Sequence, residues 1–194
     1  VFIGITMWDF FNRCLLQSVR VIKSNKPIVS KVYIPKFILV IIRMCINGFK
    51  MFISFLIVAV MLIVWRVPIT WNILYCIPIL LTLFMLVFGF GCFLLHYGVF
   101  VEDLGNVLNI ALRLIFYLTG VFWNIMDRLP APYNAYIGKG NPIAFLLTSM
   151  RECLIYGQTP HRKLLLAWFL IGLVISIIGI RKIYKNENSY VKVI

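Results

Sequence analysis

The sequence predicts an all-α polytopic membrane protein, and three observations carry that prediction. Apolar runs of about 20 residues, each long enough to cross the hydrocarbon core, recur along the chain. Hydrophobic residues make up 62% of the 194 residues, with a mean hydropathy of +0.98, well above the roughly 45–50% apolar share of soluble domains. Lys and Arg total 19 against 6 Asp and Glu, a net charge of +13, yet many of them flank the apolar runs and they share no single solvated face. A nucleic-acid partner would require such a face, so none is expected. The excess reads as topology: basic residues sit at the cytoplasmic ends of spans and are drawn to anionic membrane lipid.

From Val1 to Val19 the chain is mostly apolar but carries Asp9 and Arg13, an i,i+4 pair that meets on one helix face; this reads as a span entering from outside. Arg20, Lys23, Lys26, Lys31 and Lys36 follow, with Pro27 and Pro35 interrupting any long helix, which predicts a cytoplasmic loop holding a short helix. A second span covers Phe37 to Val64. Its Arg43 and Lys50 fall on nearly the same face, where they either snorkel or line a wet crevice. Trp65 and Trp71 bracket the linker RVPIT at the level of an aromatic belt, making it an outer turn. The third span, Ile73 to Phe100, holds no Asp, Glu, Lys or Arg; Pro78 and the pair Gly89 and Gly91 mark points of kinking or of close helix approach.

After VEDLGN a fourth span runs from Leu104 to Trp123, broken only by Arg113 and ending in aromatic residues. Asn124 to Arg162 is too polar and too rich in Pro and Gly for a simple crossing. Within it Asn141 suits an N-cap, Pro142 the first helical position and Gly157 the C-terminal stop, which predicts an amphipathic helix at or dipping into the outer interface. The last span, Leu164 to Ile180, is framed by Arg162 and Lys163 before it and Arg181 and Lys182 after it, and a polar tail follows. The basic loop from Arg20 and the basic tail from Arg181 fall on the same side by span parity, so both are assigned to the cytoplasm. The chain is read as one transmembrane domain, 1–194, of about five spans. It starts with Val1, and an upstream segment is expected to precede it.

Few groups on the chain offer chemistry. The cysteines Cys14, Cys45, Cys76, Cys92 and Cys153 form no CxxC pair, lie mostly in apolar stretches and are read as packing residues, not metal ligands. His96 is expected to be packed and partly solvated near a cytoplasmic span end, and Arg151 with Glu152 to be structural. Glu102 and Asp103 are the one close carboxylate pair, but neighbours on a helix point different ways, so no metal site or catalytic site is expected and the chain is read as no enzyme. No GxxxxGK[ST] phosphate loop is present.

The series EDLGNVLNIALRLIFYLTGVFW, then LP, then NPIAFLLTSMRECLIYGQTP, then an apolar helix with a basic tail, resembles the C-terminal half of ABC-2 type permeases, in particular those exporting O-antigen, capsular polysaccharide or teichoic acid. Trp8, Asn25, Lys31 and the run VYIPK are similar to that family's second span and the cytoplasmic turn behind it. The likeness covers nearly the whole chain and rests on ordered spacing, since no single motif in it is diagnostic. The family pattern has about six spans, so its N-terminal amphipathic helix and first span would be missing here.

The resemblance implies a permease that pairs with a second copy and with a separate ABC ATPase, where ATP and magnesium would be bound, this chain holding no cofactor. It implies Ser24, Asn25, Lys26, Pro27, Ile28, Val29 and Lys31 as the ATPase-coupling segment; the residues alone favour a basic loop on the cytoplasmic side. It implies that Phe116, Tyr117, Phe122 and Trp123 line an export channel, since sugar C–H faces slide on aromatic rings; the residues alone read as an interfacial belt. Arg113 either attracts a lipid diphosphate or pairs with Glu102, Asp103 or the missing segment. The implied cargo is a lipid-linked glycan or polyol-phosphate polymer, and the implied location a cytoplasmic or inner cell membrane, with a cytoplasmic C-terminus. A drug or small-lipid exporter of the same group, and a channel or secondary transporter, are the alternatives.

Overall fold

The computed structural model describes residues 1–29, 34–67, 70–122, 138–187 and 190. Among the described residues the fold is all-helical. Seven α-helices are assigned: α1 (Phe2–Ser24), α2 (Lys26–Val29), α3 (Phe37–Val64), α4 (Cys76–Phe100), α5 (Leu104–Leu118), α6 (Pro142–Leu154) and α7 (Arg162–Lys185), with a 3-10 turn, Trp71–Tyr75, leading into α4.

Among the described residues three segments are long and apolar enough to cross a membrane: Phe37–Val64, Trp71–Phe100 and Arg162–Lys185. They correspond to the second, third and last predicted spans, and the bounds of α3 are those expected from the sequence. Large apolar side chains stand open along them, among them Phe49, Phe52, Ile63, Ile77 and Leu170, as a lipid-facing surface requires. Trp65 and Trp71 are both exposed at the turn between α3 and α4, as a belt residue should be.

α1 is the central helix. Ile3, Met7, Phe10, Cys14, Leu15, Val21 and Ile22 are all buried, and α1 packs against α3, α4, α5 and α6. It runs beyond its expected end at Val19 to Ser24, because nothing in the sequence stops a helix before Pro27. α5 differs from expectation in the other direction. It was expected to continue to Trp123 but is 15 residues long, about 22 Å against the roughly 30 Å of a hydrocarbon core. The stop is local: Thr119 caps the helix, its hydroxyl donating to Ile115 O at 2.6 Å, and Gly120 follows with φ 66°, in the left-handed region that favours glycine.

α4 runs unbroken through its glycines, so they serve close approach and not kinking. A Cβ on Gly89 would lie 2.8 Å from Ile175 and 3.0 Å from the Ser176 nitrogen of α7, one on Gly91 would lie 2.9 Å from Val40 of α3, and one on Gly98 only 2.3 Å from the Val19 carbonyl of α1. Pro78 sits in the first turn of α4, where a missing N–H costs little.

Contacts sort the helix ends. Val19 with Gly98, Phe37 with Tyr184 and Lys36 with Glu187 meet at one end. Trp8 with Phe116, Arg151 with Gly120 and Arg162 with Tyr75 meet at the other. Arg20, Lys23, Lys36, Arg181, Lys182 and Lys185 therefore share the first end. The tail beyond α7 is not simply solvated there. Glu187 pairs with Lys36 at 3.0 Å with side chains 10% and 3% exposed, and the Tyr190 hydroxyl lies 2.7 Å from His96 Nδ1. His96, expected to be partly solvated, is buried by this returning tail.

Candidate functional site: a polar cleft floored by the central helix

Three helices each carry a polar stripe beside their buried face. On α1 it is Asp9, Arg13, Gln17, Arg20 and Ser24; on α3 it is Arg43, Asn47, Lys50 and Ser54; on α5 it is Asn106, Asn109 and Arg113. Steps of three and four residues keep each set on one helix face. Packing brings the stripes together.

Toward the basic end, Leu16, Gln17, Arg20 and Ser24 of α1, Arg43 of α3, and Gly105, Asn106 and Asn109 of α5 line a cleft of about 420 Å³. Farther along α1, Thr6, Asp9, Phe10 and Arg13 face Asn47, Lys50, Met51 and Ser54 of α3 around a smaller hollow of about 40 Å³. Asn47 Nδ2 donates to Gln17 Oε1 at 2.8 Å and to the Arg43 carbonyl at 3.0 Å, bridging α3 to α1 between the two. Arg43 lines the larger cleft and Lys50 the smaller hollow, so the two charges expected on one face of α3 stand in separate spaces. The pair Asp9 and Arg13 forms as expected: Arg13 Nε donates to both carboxylate oxygens at 2.7 Å.

α5 runs antiparallel to α1. Arg20 lies against Gly105, a Cβ there falling 3.2 Å from Arg20 Nε, while Trp8 stacks on Phe116 with ring centroids 5.4 Å apart. That pairing puts Arg113 at the level of Arg13. Among the described residues Arg113 forms no ion pair, and Glu102 and Asp103 lie about three turns away, which corrects the pairing considered for it. Arg20 and Arg43 thus line the cleft, Arg13 and Lys50 line the smaller hollow beside the carboxylate of Asp9, and Arg113 stands exposed on α5 outside both.

Away from the basic end, outside the cleft, α1 and α5 meet through aromatic residues. Phe116 contacts Trp8, Tyr117 at 5.6 Å and Phe122 at 5.3 Å, and Trp8 contacts Phe11 at 5.4 Å. Tyr117 is 70% and Phe122 55% exposed, so these rings present faces outward from a buried root at Trp8. Trp123, assigned to the same wall, lies outside the described residues. Trp8 and Phe11 were not foreseen as part of it; their i,i+3 spacing was the available signal. From Arg20 to Trp8 the track along α1 measures about 18 Å.

The segment for which an ATPase-coupling role was expected falls at the basic end. Ser24 closes α1, its hydroxyl donating to Val21 O at 3.1 Å, and Asn25 caps it, Nδ2 donating to the same carbonyl at 2.7 Å. Lys26, Pro27, Ile28 and Val29 form α2, the short helix expected in the loop, with Lys26 and Pro27 exposed. Lys31 lies outside the described residues.

At the opposite end α6 begins as predicted: Asn141 Oδ1 accepts from the Ile143 and Ala144 nitrogens, Pro142 fills the first position, and Gly157 lies beyond the end with φ 62°. Arg151 is structural, as expected, its guanidinium donating to the carbonyls of Gly120 and Val121 and fastening the end of α5 to α6. A second hollow of about 420 Å³ there is lined by Thr148, Glu152, Gln158 and His161. Burial holds the Glu152 carboxyl above the usual carboxylate range, and His161 pulls it partly back. All five cysteines are free; Cys45 is exposed on α3, so it does not pack as predicted. Among the described residues no three of His, Cys, Asp and Glu gather as a metal site would need.

Comparison of the sequence with protein-family models and with curated proteins finds no match.

Proposed function

We propose that this chain is the membrane-spanning permease subunit of an ATP-driven exporter of the ABC-2 type, carrying a lipid-linked polysaccharide or teichoic acid out of the cytoplasm. In this reading α1 and α5 are counted with the three apolar helices as about five spans, α5 itself covering about 22 Å of the roughly 30 Å core. The basic end faces the cytoplasm, by the excess of Lys and Arg gathered there.

The observation that carries the reading is the cleft at the basic end, with Arg20 and Arg43 in its lining, together with the aromatic cluster that α1 and α5 share towards their other end. Guanidinium groups attract the phosphates of such a cargo, and ring faces pack on sugar C–H surfaces without fixed hydrogen-bond demands, so a polymer can advance. Energy would come from a partner ATPase binding ATP and magnesium. α2, which follows α1 in the chain and precedes α3, would receive its push as a rigid element, and a second copy of the chain would complete the channel wall. The chain itself performs no catalysis in this scheme.

The test is purification of the full-length protein from native membranes. An ATPase recovered in stoichiometric amount, with hydrolysis that responds to the permease, is the expected result. A chain that purifies alone and conducts or exchanges solute without ATP would replace this reading with a channel or secondary transporter. Replacing Phe116, Tyr117, Phe122 and Trp123 together by Ala is expected to slow export about tenfold or more while leaving assembly intact, at about 1–3 kcal/mol per stacking ring lost; normal polymer at the cell surface would remove the aromatic wall from the account.

A further inference from the structure

We propose that the basic end of the cleft is a binding site for the phosphate headgroup of an anionic glycerophospholipid. This goes beyond cargo transport and does not depend on it, since an equilibrium lipid site needs neither ATP nor polymer.

The donor set is the first reason. Arg20 from α1 and Arg43 from α3 supply two guanidinium groups to one cleft of about 420 Å³, inside the roughly 300–1,000 Å³ range of ligand pockets. Between them stand only neutral groups: Gln17, Ser24, Asn106 and Asn109. Gln17 spends its carbonyl oxygen on Asn47, which leaves its amide hydrogens to the cleft. No carboxylate is among these lining residues; the nearest on α5, Asp103, accepts from Asn106 Nδ2 at 3.5 Å. The positive end of α5 opens on the same space at Gly105, and the lack of a side chain there is what lets Arg20 lie against that helix. Two fork-shaped donors with surrounding amides match a phosphate diester, whose oxygens accept without offering a proton.

The rims are the second reason, and they select a lipid over a free anion. Beside the polar stripe of α3 stand Ile42 and Ile46, and beside that of α5 stand Val107 and Ile110, all exposed. A headgroup in the cleft would lay its acyl chains on these rims, whereas a soluble phosphate would leave them bare. The position at the basic end of the bundle is also where an anionic leaflet concentrates such lipids.

The experiment uses the full-length protein in nanodiscs of equal phosphatidylglycerol and phosphatidylcholine, with co-purified lipid counted by native mass spectrometry. Phosphatidylglycerol is expected to be enriched on the wild type. Arg20→Gln with Arg43→Gln should reduce that enrichment about tenfold, whereas Arg181→Gln with Lys185→Gln, which removes the same charge at the same end outside the cleft, should not. Asn109→Trp, which fills the cleft without changing charge, should also displace the lipid and covers the case in which the double arginine variant fails to fold. Equal enrichment in Asn109→Trp and wild type, equal loss in the Arg181 and Lys185 variant, or inorganic phosphate displacing the lipid at equal concentration would each overturn the proposal. None of these results bears on whether an ATPase co-purifies, so the site and the exporter reading fail separately.

Discussion

The seams that α4 makes with α7 and α1 and the cleft among α1, α3 and α5 are built from opposite kinds of residue. Along the seams Gly89, Gly98, Gly172 and Gly179 remove side chains so that helices touch backbone to side chain, and Ser176 turns its hydroxyl to the Gly172 and Met85 carbonyls at 2.8 and 3.0 Å. This is the packing expected where lipid supplies no hydrophobic drive between helices. The cleft is lined instead by polar side chains from all three helices, with Asn47 of α3 bonded to Gln17 of α1 beside it. The contrast shows how one bundle can be both closed and open: small residues set the rigid frame, and charged residues keep a space from collapsing.

The sharpest way to break this comparison is to add one methyl group on each side. Gly98→Ala places Cβ 2.3 Å from the Val19 carbonyl and 2.9 Å from its backbone carbons, which cannot yield; a loss of about 3 kcal/mol or more is expected, read as collapse of monodisperse protein and of the melting transition in detergent. Gly105→Ala meets only the mobile end of Arg20, at 3.2 Å, and should fall within about 1 kcal/mol of wild type. Equal losses at the two sites would erase the distinction between frame and cleft.

The buried pair Lys36 and Glu187 extends the frame to the tail. Lys36→Met removes the cation 3.0 Å from the buried Glu187 carboxylate and is expected to cost about 3–5 kcal/mol, while adding Glu187→Met should recover most of it. A double variant as unstable as the single one would place the cost elsewhere. Tyr190 beside it is held protonated, burial pushing its hydroxyl up to about 12, so this clasp should not loosen between pH 6 and 9 by that route.

The smallest effect is expected at Glu152. Its folded-state value is raised by burial, so the stability it contributes is full below the unfolded carboxylate range and is lost as pH rises through the folded value. Glu152→Gln should therefore raise the melting temperature at neutral pH, by about 1–3 °C, and lose that advantage in acid. A gain that persists unchanged at low pH would remove the ionised carboxylate as its cause.

Much of the helical frame was legible because its signals are local. The charge-free run to Phe100, the caps at Asn141 and Pro142, and the close approach at Gly89 each depend on a few neighbouring residues. The end of α5 was also written locally, in Thr119 and Gly120, but the apolar residues beyond them outweighed that signal in the expected boundary. The cleft was legible only in fragments. Arg43 with Lys50, and Asp9 with Arg13, mark faces of single helices, yet which faces meet is decided by how α1 seats against α3, α4 and α5. The returning tail was hidden for the same reason: nothing near Glu187 announces Lys36, which lies 151 positions away along the chain.

The central claim is that the α1, α3 and α5 stripes enclose water inside the bundle. Single cysteines at the cleft positions Gln17, Asn106 and Asn109, and at Val107, Ile110 and Leu114, in a background without native cysteines, can be exposed in membranes to a charged, membrane-impermeant thiol reagent. The account predicts rapid labelling of the first three positions and protection of the rim positions Val107, Ile110 and Leu114. Labelling that does not distinguish the two sets would contradict it.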